Sequence, residues 1–207
     1  MRDRSEDKIK IYFIRHAATK SNLQKRYVGK NNDEGISDEG KEVLSGKVKS
    51  HVYPDADLLF LSGKKRCIQT AEAIYPGQEK IIRKELDEID FGDFEGKNYD
   101  ELKDDERYIK WIESNGELPF PNGESKSEYC ERNRELFLEI MDDIKKAKAE
   151  NPLIKSVAFV VHGGTIMSMI SSFSDMSYYD CQVSNACGFI CEVNLSEETV
   201  ITVKDKI

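Results

Sequence analysis

Histidine is scarce in this chain, with only His16, His51 and His162 among 207 residues. Cysteine occurs five times, at Cys67, Cys130, Cys181, Cys187 and Cys191, an odd count with no C-x-x-C pair. These shortages leave a zinc site poorly supplied, so no metal and no cofactor is expected. They also argue for reduced thiols rather than a disulfide framework, and hence for a cytoplasmic location. Only Cys187 and Cys191 could approach each other as a pair. No apolar run nears the roughly 20 residues that a membrane span needs. The start, Met1 to Asp7, is charged and lacks the apolar segment of a secretory leader. Basic residues are outnumbered, 31 Lys and Arg against 39 Asp and Glu, for a net charge of −8. That balance argues against nucleic acid or an anionic membrane as a partner. It leaves room for a small anionic substrate in a locally basic pocket. Internal repeats and low-complexity segments are absent as well.

What the chain does contain, 39% hydrophobic residues over 207 positions, is enough for one domain with its own core. Apolar, β-branched runs alternate with helical patterns, which predicts an α/β sheet. Strands are expected at 8–14, 57–61, 79–82, 156–161, 187–194 and 199–204. The last two, separated by Ser196-Glu197-Glu198, read as a closing hairpin. Helices are expected at 38–50, with Ser37 as N-cap, and at 64–74 and 164–173. From Asn98 to Glu150 the rhythm changes to two successive helical patterns with no strand. The first runs from Asn98, with Glu101 three residues on, to Asn115-Gly116. The second opens with the capping box Ser125-x-x-Glu128 and continues with Leu136, Phe137, Ile140, Met141 and Ile144 at helical spacing. Helices inserted between strands are expected to form a small cap over a site, about 97–150.

Two strand-like runs end in histidine. Ile9 to Ile14 leads into Arg15-His16, and Val157 to Val161 leads into His162-Gly163-Gly164. That placement predicts two imidazoles on one rim of the sheet. Arg15 beside His16, with Thr19, Ser21 and Asn22 following and Arg26 and Lys30 beyond, supplies the donors that a tetrahedral oxyanion needs. Arg66 falls in the first turn of the second helix, where free backbone N–H groups and the helix dipole favour an anion. Lys64 and Lys65 read as an exposed helix start. The acidic, aromatic stretch from Glu85 to Gly96 offers carboxyl groups that could protonate a leaving oxygen, most readily if an aromatic lid buries one of them. The glycines after His162 would let backbone N–H groups come close to a ligand. Solitary His51, at the end of a polar helix, reads as a surface residue.

These segments together resemble the histidine phosphatases, the phosphoglycerate-mutase-like superfamily, over essentially the whole chain. Arg15-His16-x-x-Thr19-x-x-Asn22 is similar to the signature loop R-H-G-x-T/S-x-x-N. Ile36-Ser37-x-x-Gly40 resembles L-T-x-x-G, and Arg66-x-x-Gln69-Thr70-Ala71 resembles R-A-x-Q-T-A. Leu86-x-Glu88-x-x-Phe91-Gly92-x-Phe94-Glu95-Gly96 resembles L-x-E-x-x-F-G-x-W-E-G, and Pro121-x-Gly123-Glu124-Ser125 resembles P-G-G-E-S. His162-Gly163-Gly164 completes the series. Ala17 stands where the family has glycine, which requires an ordinary negative φ there. Ser62-Gly63-Lys64-Lys65 replaces the familiar serine, proline and leucine pattern, and the Gly29–Ser37 loop is irregular.

The resemblance implies a three-layer α/β sandwich with a mostly parallel sheet and an inserted helical cap. It implies hydrolysis or transfer through a phosphohistidine, without a metal. His16 would be the nucleophile, and Arg15, Arg66 and His162 would hold the phosphoryl oxygens. Thr19, Asn22, the Gly163 N–H and Arg26 would be lesser contacts, and Glu88 the proton donor and then the base. The partner implied is a small phosphorylated metabolite, with a homodimer as an open option. Ten acidic residues against Lys97, Lys103, Arg107 and Lys110 between Ile89 and Phe120 make a poor clamp for a second phosphate, which favours hydrolysis over mutase chemistry. The segment Phe91-Gly92-Asp93-Phe94-Glu95-Gly96 is most like the α-ribazole phosphatase branch. Cap aromatics facing the cleft would suit such a planar substrate. A broad phosphatase for sugar phosphates, phosphoglycerate or phosphoserine is the alternative, and an inactive binder of phosphorylated ligands is a third reading.

Overall fold

The computed structural model describes residues 8–196 and 198–207. Its centre is β1 (Lys8–Arg15), in which Ile11 and Phe13 point to one face and Tyr12 and Ile14 to the other, all four buried. Period-two burial on both faces is what a central strand of a covered sheet requires. The further strands are β2 (Leu58–Leu61), β3 (Ile81–Ile82), β4 (Ser156–Val161), β5 (Gly188–Asn194) and β6 (Ile201–Lys206). They form one sheet in the order β3-β2-β4-β1-β5-β6. The four strands from β3 to β1 are mutually parallel, and β5 and β6 add an antiparallel hairpin at one side. Glu197, in the expected turn of that hairpin, and the Met1 to Asp7 segment lie outside the described residues.

Seven helices accompany the sheet among the described residues. These are α1 (Lys20–Leu23), α2 (Asp38–Lys49), α3 (Lys65–Ile74), α4 (Tyr99–Leu102), α5 (Glu106–Glu113), α6 (Lys126–Glu150) and α7 (Gly163–Phe173). α6 and α7 cover the Phe13 and Phe159 face, while α3 covers the Tyr12 and Val160 face, giving three layers. Ser37 caps α2 by accepting the Gly40 N–H, and His51, just beyond α2, is exposed at φ +52°, the left-handed turn that ends many helices. All five cysteines are free thiols.

The cap is smaller than the sequence pattern predicts. Its core consists of Ile89, Phe94, Leu102, Tyr108, Phe120 and Tyr129, with Tyr27, Phe91 and Trp111 packed against them. Beyond its first turns α6 belongs to the sandwich: Leu136, Phe137, Ile140, Met141 and Ile144 are buried with the sheet. Each such side chain contributes about 1.5–3 kcal/mol of burial, so the spacing that marked a helix also marked a core helix. The first predicted cap helix is two, because Asp105 turns the chain and caps α5 through the Arg107 N–H, while Asn98 and Glu101 form the capping box of α4.

Candidate active site

The site is placed by strand register. Arg15 on β1 lies opposite Val161 on β4, so the residues that follow, His16 and His162, leave the sheet side by side. The His16 N–H bonds the Val161 carbonyl at 2.9 Å, and the two imidazoles meet edge to face with ring centres 5.2 Å apart. Both are at the carboxyl ends of parallel strands, where open α/β sheets place ligands.

The His16 tautomer follows from one bond. Its Nδ1 is 2.8 Å from the Ala17 carbonyl, which can only accept, so Nδ1 carries the hydrogen and Nε2 the lone pair. Ala17 serves this geometry with an ordinary backbone: it is absent from the residues of positive φ, and its N–H bonds Thr70 Oγ1. Burial, with the Arg66 and Arg15 guanidinium groups close by, holds His16 well below its usual imidazole range, so the ring is neutral and nucleophilic at neutral pH.

His162, fully buried, is fixed on both nitrogens. Ser62 donates its hydroxyl to Asp87 at 2.6 Å, so its oxygen accepts from His162 Nε2–H at 2.9 Å. The remaining Nδ1 then accepts from Arg66 Nε at 3.3 Å. Lys64 completes this group as the 3.1 Å ion-pair partner of Asp87, with only 18% of its side chain exposed. Lys64 is therefore no exposed helix start, in contrast to Lys65, whose side chain is 66% exposed beside Asp33. The unfamiliar Ser62–Lys65 turn is closed from across the chain, because Asp33 also accepts the Lys65 N–H at the head of α3.

Arg66 is fully buried, with Nη1 bound to the Asn32 carbonyl and Nη2 to that of Gly29. The irregular 29–37 loop thus has a clear role in aiming this guanidinium, and each Nη retains one further N–H. Arg15 bonds the Val183 carbonyl through Nη1, while its buried Nε has no hydrogen-bond partner among the described residues. Gly163 makes room for it, since a Cβ there would lie 3.2 Å from that Nε. The orphaned Arg15 donor lies against the start of α7, and both guanidinium groups are close to His16. An anion is the group that satisfies these donors. His162, expected to hold phosphoryl oxygens, has both nitrogens engaged by Ser62 and Arg66 and offers no N–H of its own.

Glu88 is 7% exposed and reaches the same region. An aromatic lid is not what surrounds it. Oε1 accepts from the Ile89 N–H at 3.0 Å and from the Tyr129 hydroxyl at 2.8 Å, and Oε2 accepts from the Gly164 N–H at 3.0 Å. Of the lesser contacts, Thr19 is buried as the N-cap of α1, in a reciprocal bond with Asn22. Asn185 donates to Asn22 Oδ1 and to the His16 carbonyl, which leaves the Asn22 amide hydrogens for a ligand. Arg26 is not brought to the site. Its guanidinium is bound by Glu101 and by the Gly96 carbonyl, which ties the signature loop to the cap. Tyr129, Thr165, Asp87 and Asn185 were not singled out from the sequence. Tyr129 does share the α6 face of Asn133, Leu136, Phe137 and Ile140, so helical periodicity could have found it.

Comparison with known proteins gives the family and the fold. Residues 11–206 match the family described as the histidine phosphatase superfamily, branch 1. A putative phosphoserine phosphatase 2 of Hydrogenobacter thermophilus is 26% identical over 165 residues, covering 78% of this chain and 76% of that one. The 6-phosphofructo-2-kinase/fructose-2,6-bisphosphatase 3 of Bos taurus is 30% identical over 172 residues, covering 81% of this chain but 34% of the relative. The crystal structure of an alpha-ribazole phosphatase from Shigella flexneri has the same fold, with a TM-score of 0.77 at 20% identity and 95% of each chain covered. By its sequence match, and with the fold to accompany it, this chain belongs to the histidine phosphatase superfamily, branch 1.

Proposed function

We propose that the protein is a metal-independent phosphomonoesterase that works through a phosphohistidine on His16. The observation that carries this reading is the His16 tautomer, with Nδ1–H on the Ala17 carbonyl and Nε2 free between Arg15, Arg66 and His162. Nε2 attacks the phosphorus, the bond to the ester oxygen breaks, and Glu88 gives its proton to that oxygen. Glu88 then takes a proton from water as the water oxygen attacks, the P–N bond breaks, and phosphate leaves with His16 restored. The guanidinium groups of Arg15 and Arg66 neutralise the transferring group in place of a metal ion.

Hydrolysis is favoured over transfer to a second acceptor because the cap's arginine is already paired. Arg107 is held by Asp93 and Asp105, and outside the cap Arg26 and Arg132 are likewise held by Glu101 and Glu124. The substrate favoured is a small phosphate ester such as phosphoserine or a sugar phosphate. Phe94, Tyr108 and Phe120 are consumed in the cap's own packing, which weakens the case for a planar substrate such as α-ribazole 5'-phosphate. The test is turnover of p-nitrophenyl phosphate in EDTA, with His16→Ala as control, followed by a panel of phosphoserine, sugar phosphates, phosphoglycerates and α-ribazole phosphate ranked by kcat/KM. Absence of EDTA-resistant turnover between pH 5 and 8, or full activity in His16→Ala, would sink the reading.

A further inference from the structure

Tyr129 carries a feature that the phosphohistidine cycle does not itself require. Its side chain is fully buried, and its hydroxyl lies 2.8 Å from Glu88 Oε1 and 2.9 Å from Thr165 Oγ1. Thr165, equally buried, has a second acceptor in the Leu86 carbonyl at 3.4 Å. Three oxygens in a row, all shielded from water, must share two hydroxyl hydrogens. Two arrangements satisfy them. In one, Tyr129 donates to Glu88. In the other, Tyr129 donates to Thr165, and Thr165 donates to Leu86.

We propose that Tyr129 and Thr165 form a two-position hydroxyl switch that follows the charge of Glu88, and so set how firmly Glu88 holds the proton it must give and take back. When Glu88 is ionised, Tyr129 donates to Oε1. When Glu88 is protonated, Oε1 is the weaker acceptor and Tyr129 turns to Thr165, whose hydrogen moves to Leu86. No bond is formed or broken in the pair; only hydroxyl rotors turn. Burial and the nearby Glu88 charge keep the Tyr129 phenol protonated, so it remains a donor throughout. Arg132 stacks 4.9 Å over the Tyr129 ring, and Tyr178 lies within electrostatic reach of its hydroxyl. Arg15, Arg132, Tyr178 and Cys67, on β1, α6, the loop after α7 and α3, lie within electrostatic reach of the Glu88 carboxylate. These groups stay fixed in charge while Glu88 cycles, which leaves the hydroxyl pair as the element that adapts. Tyr129 and Thr165 are positioning residues, and the inference rests on Glu88 being the acid and base of the proposed reaction.

The switch predicts shifts of opposite sign in two neighbouring variants. Tyr129→Phe removes a donor to the ionised carboxylate, so the limb of the kcat–pH profile that reports loss of the transferable proton should move up by about one pH unit. Thr165→Val removes the alternative acceptor, so Tyr129 stays on Glu88, the protonated form is disfavoured, and the same limb should move down. Thr165→Ser should restore the wild-type profile. The measurement is kcat against pH for an alkyl phosphate, whose poor leaving group needs the proton, with Glu88→Gln in parallel. Shifts in the same direction, or none, overturn the switch, and Thr165→Val decides alone if Tyr129→Phe fails to fold. If Glu88→Gln abolishes the limb while neither variant moves it, the switch is wrong and the acid assignment stands. If Glu88→Gln leaves the limb in place, the acid assignment falls and the switch with it.

Discussion

The Glu88 carboxylate rests against bare backbone at Gly164. Its Oε2 accepts the Gly164 N–H at 3.0 Å, and a Cβ on that residue would run into Oε1 and lie 3.2 Å from both the carboxyl carbon and the Tyr129 ring. The first turn of α7 thereby presents Gly163 to Arg15 and Gly164 to Glu88, so one glycine pair seats both the guanidinium and the carboxylate.

Gly164→Ala should therefore push Glu88 off its seat without touching His16 or Arg66. A displacement of about 1 Å at a reacting group can cost on the order of 100-fold in rate. We expect that loss in the rate at which alkyl phosphates form the phosphoenzyme, and a much smaller one in the burst rate with p-nitrophenyl phosphate. Hydrolysis of the phosphoenzyme from either ester should also slow, since Glu88 is the base of the proposed reaction. Equal losses of phosphorylation rate for both esters would show that Gly164 serves the fold and not the carboxylate.

Much of this arrangement was legible in the sequence, for physical reasons that differ by residue. Arg15, His16 and His162 could be placed because apolar β-branched runs end at them, and a strand end fixes where the next side chain goes. The α6 helix was readable from its capping box and spacing, yet its assignment to the cap failed, because amphipathic spacing reports a buried face without saying against what it is buried. Arg26 was misassigned for the same kind of reason: its proximity in sequence to Asn22 said nothing of Glu101, 75 residues away, which claims it. The Ser62–Asp87–His162 chain depends on three separate segments meeting, and local pattern holds no trace of that.

That chain fixes the His162 ring through Ser62, with Asp87 holding the serine hydrogen and Lys64 holding Asp87. Asp87→Asn removes the charge that orients Ser62 and leaves Lys64 half-buried without its partner. We expect about tenfold lower kcat, the order of a lost charge-assisted hydrogen bond, with NMR of the His162 ring nitrogens reporting a mixture of tautomers. A single unchanged tautomer in Asp87→Asn would assign the orientation to Arg66 alone.

Arg26 and Arg66 separate cleanly in a test of anion affinity. Inhibition by inorganic phosphate should weaken sharply in Arg66→Ala, whose turnover falls by about 100-fold or more as a donor to the transferring group is lost. Arg26→Ala should retain its phosphate inhibition and lose only the ties to Glu101 and the Gly96 carbonyl, which lie in the cap. A large loss of phosphate affinity in Arg26→Ala would restore it to the site.

Stability should fall on mild acidification, because both site histidines are held neutral in the folded chain. Burial is the largest cause for each, followed by the Arg66 charge, and it keeps both well below the usual value of 6.5. The unfolded chain takes up protons at these residues below that pH, whereas the folded chain does not. Unfolding is then favoured by about 1.4 kcal/mol per pH unit per histidine as pH drops from 6.5, until the folded rings themselves titrate. Above 6.5 neither state binds the proton and this contribution vanishes. Urea unfolding at pH 7.5 and pH 5 should show the loss in the wild-type protein, and each of His16→Asn and His162→Asn should recover about half of it. If the double variant loses as much stability on acidification as the wild type, the histidines are not its source, and the carboxylates must be.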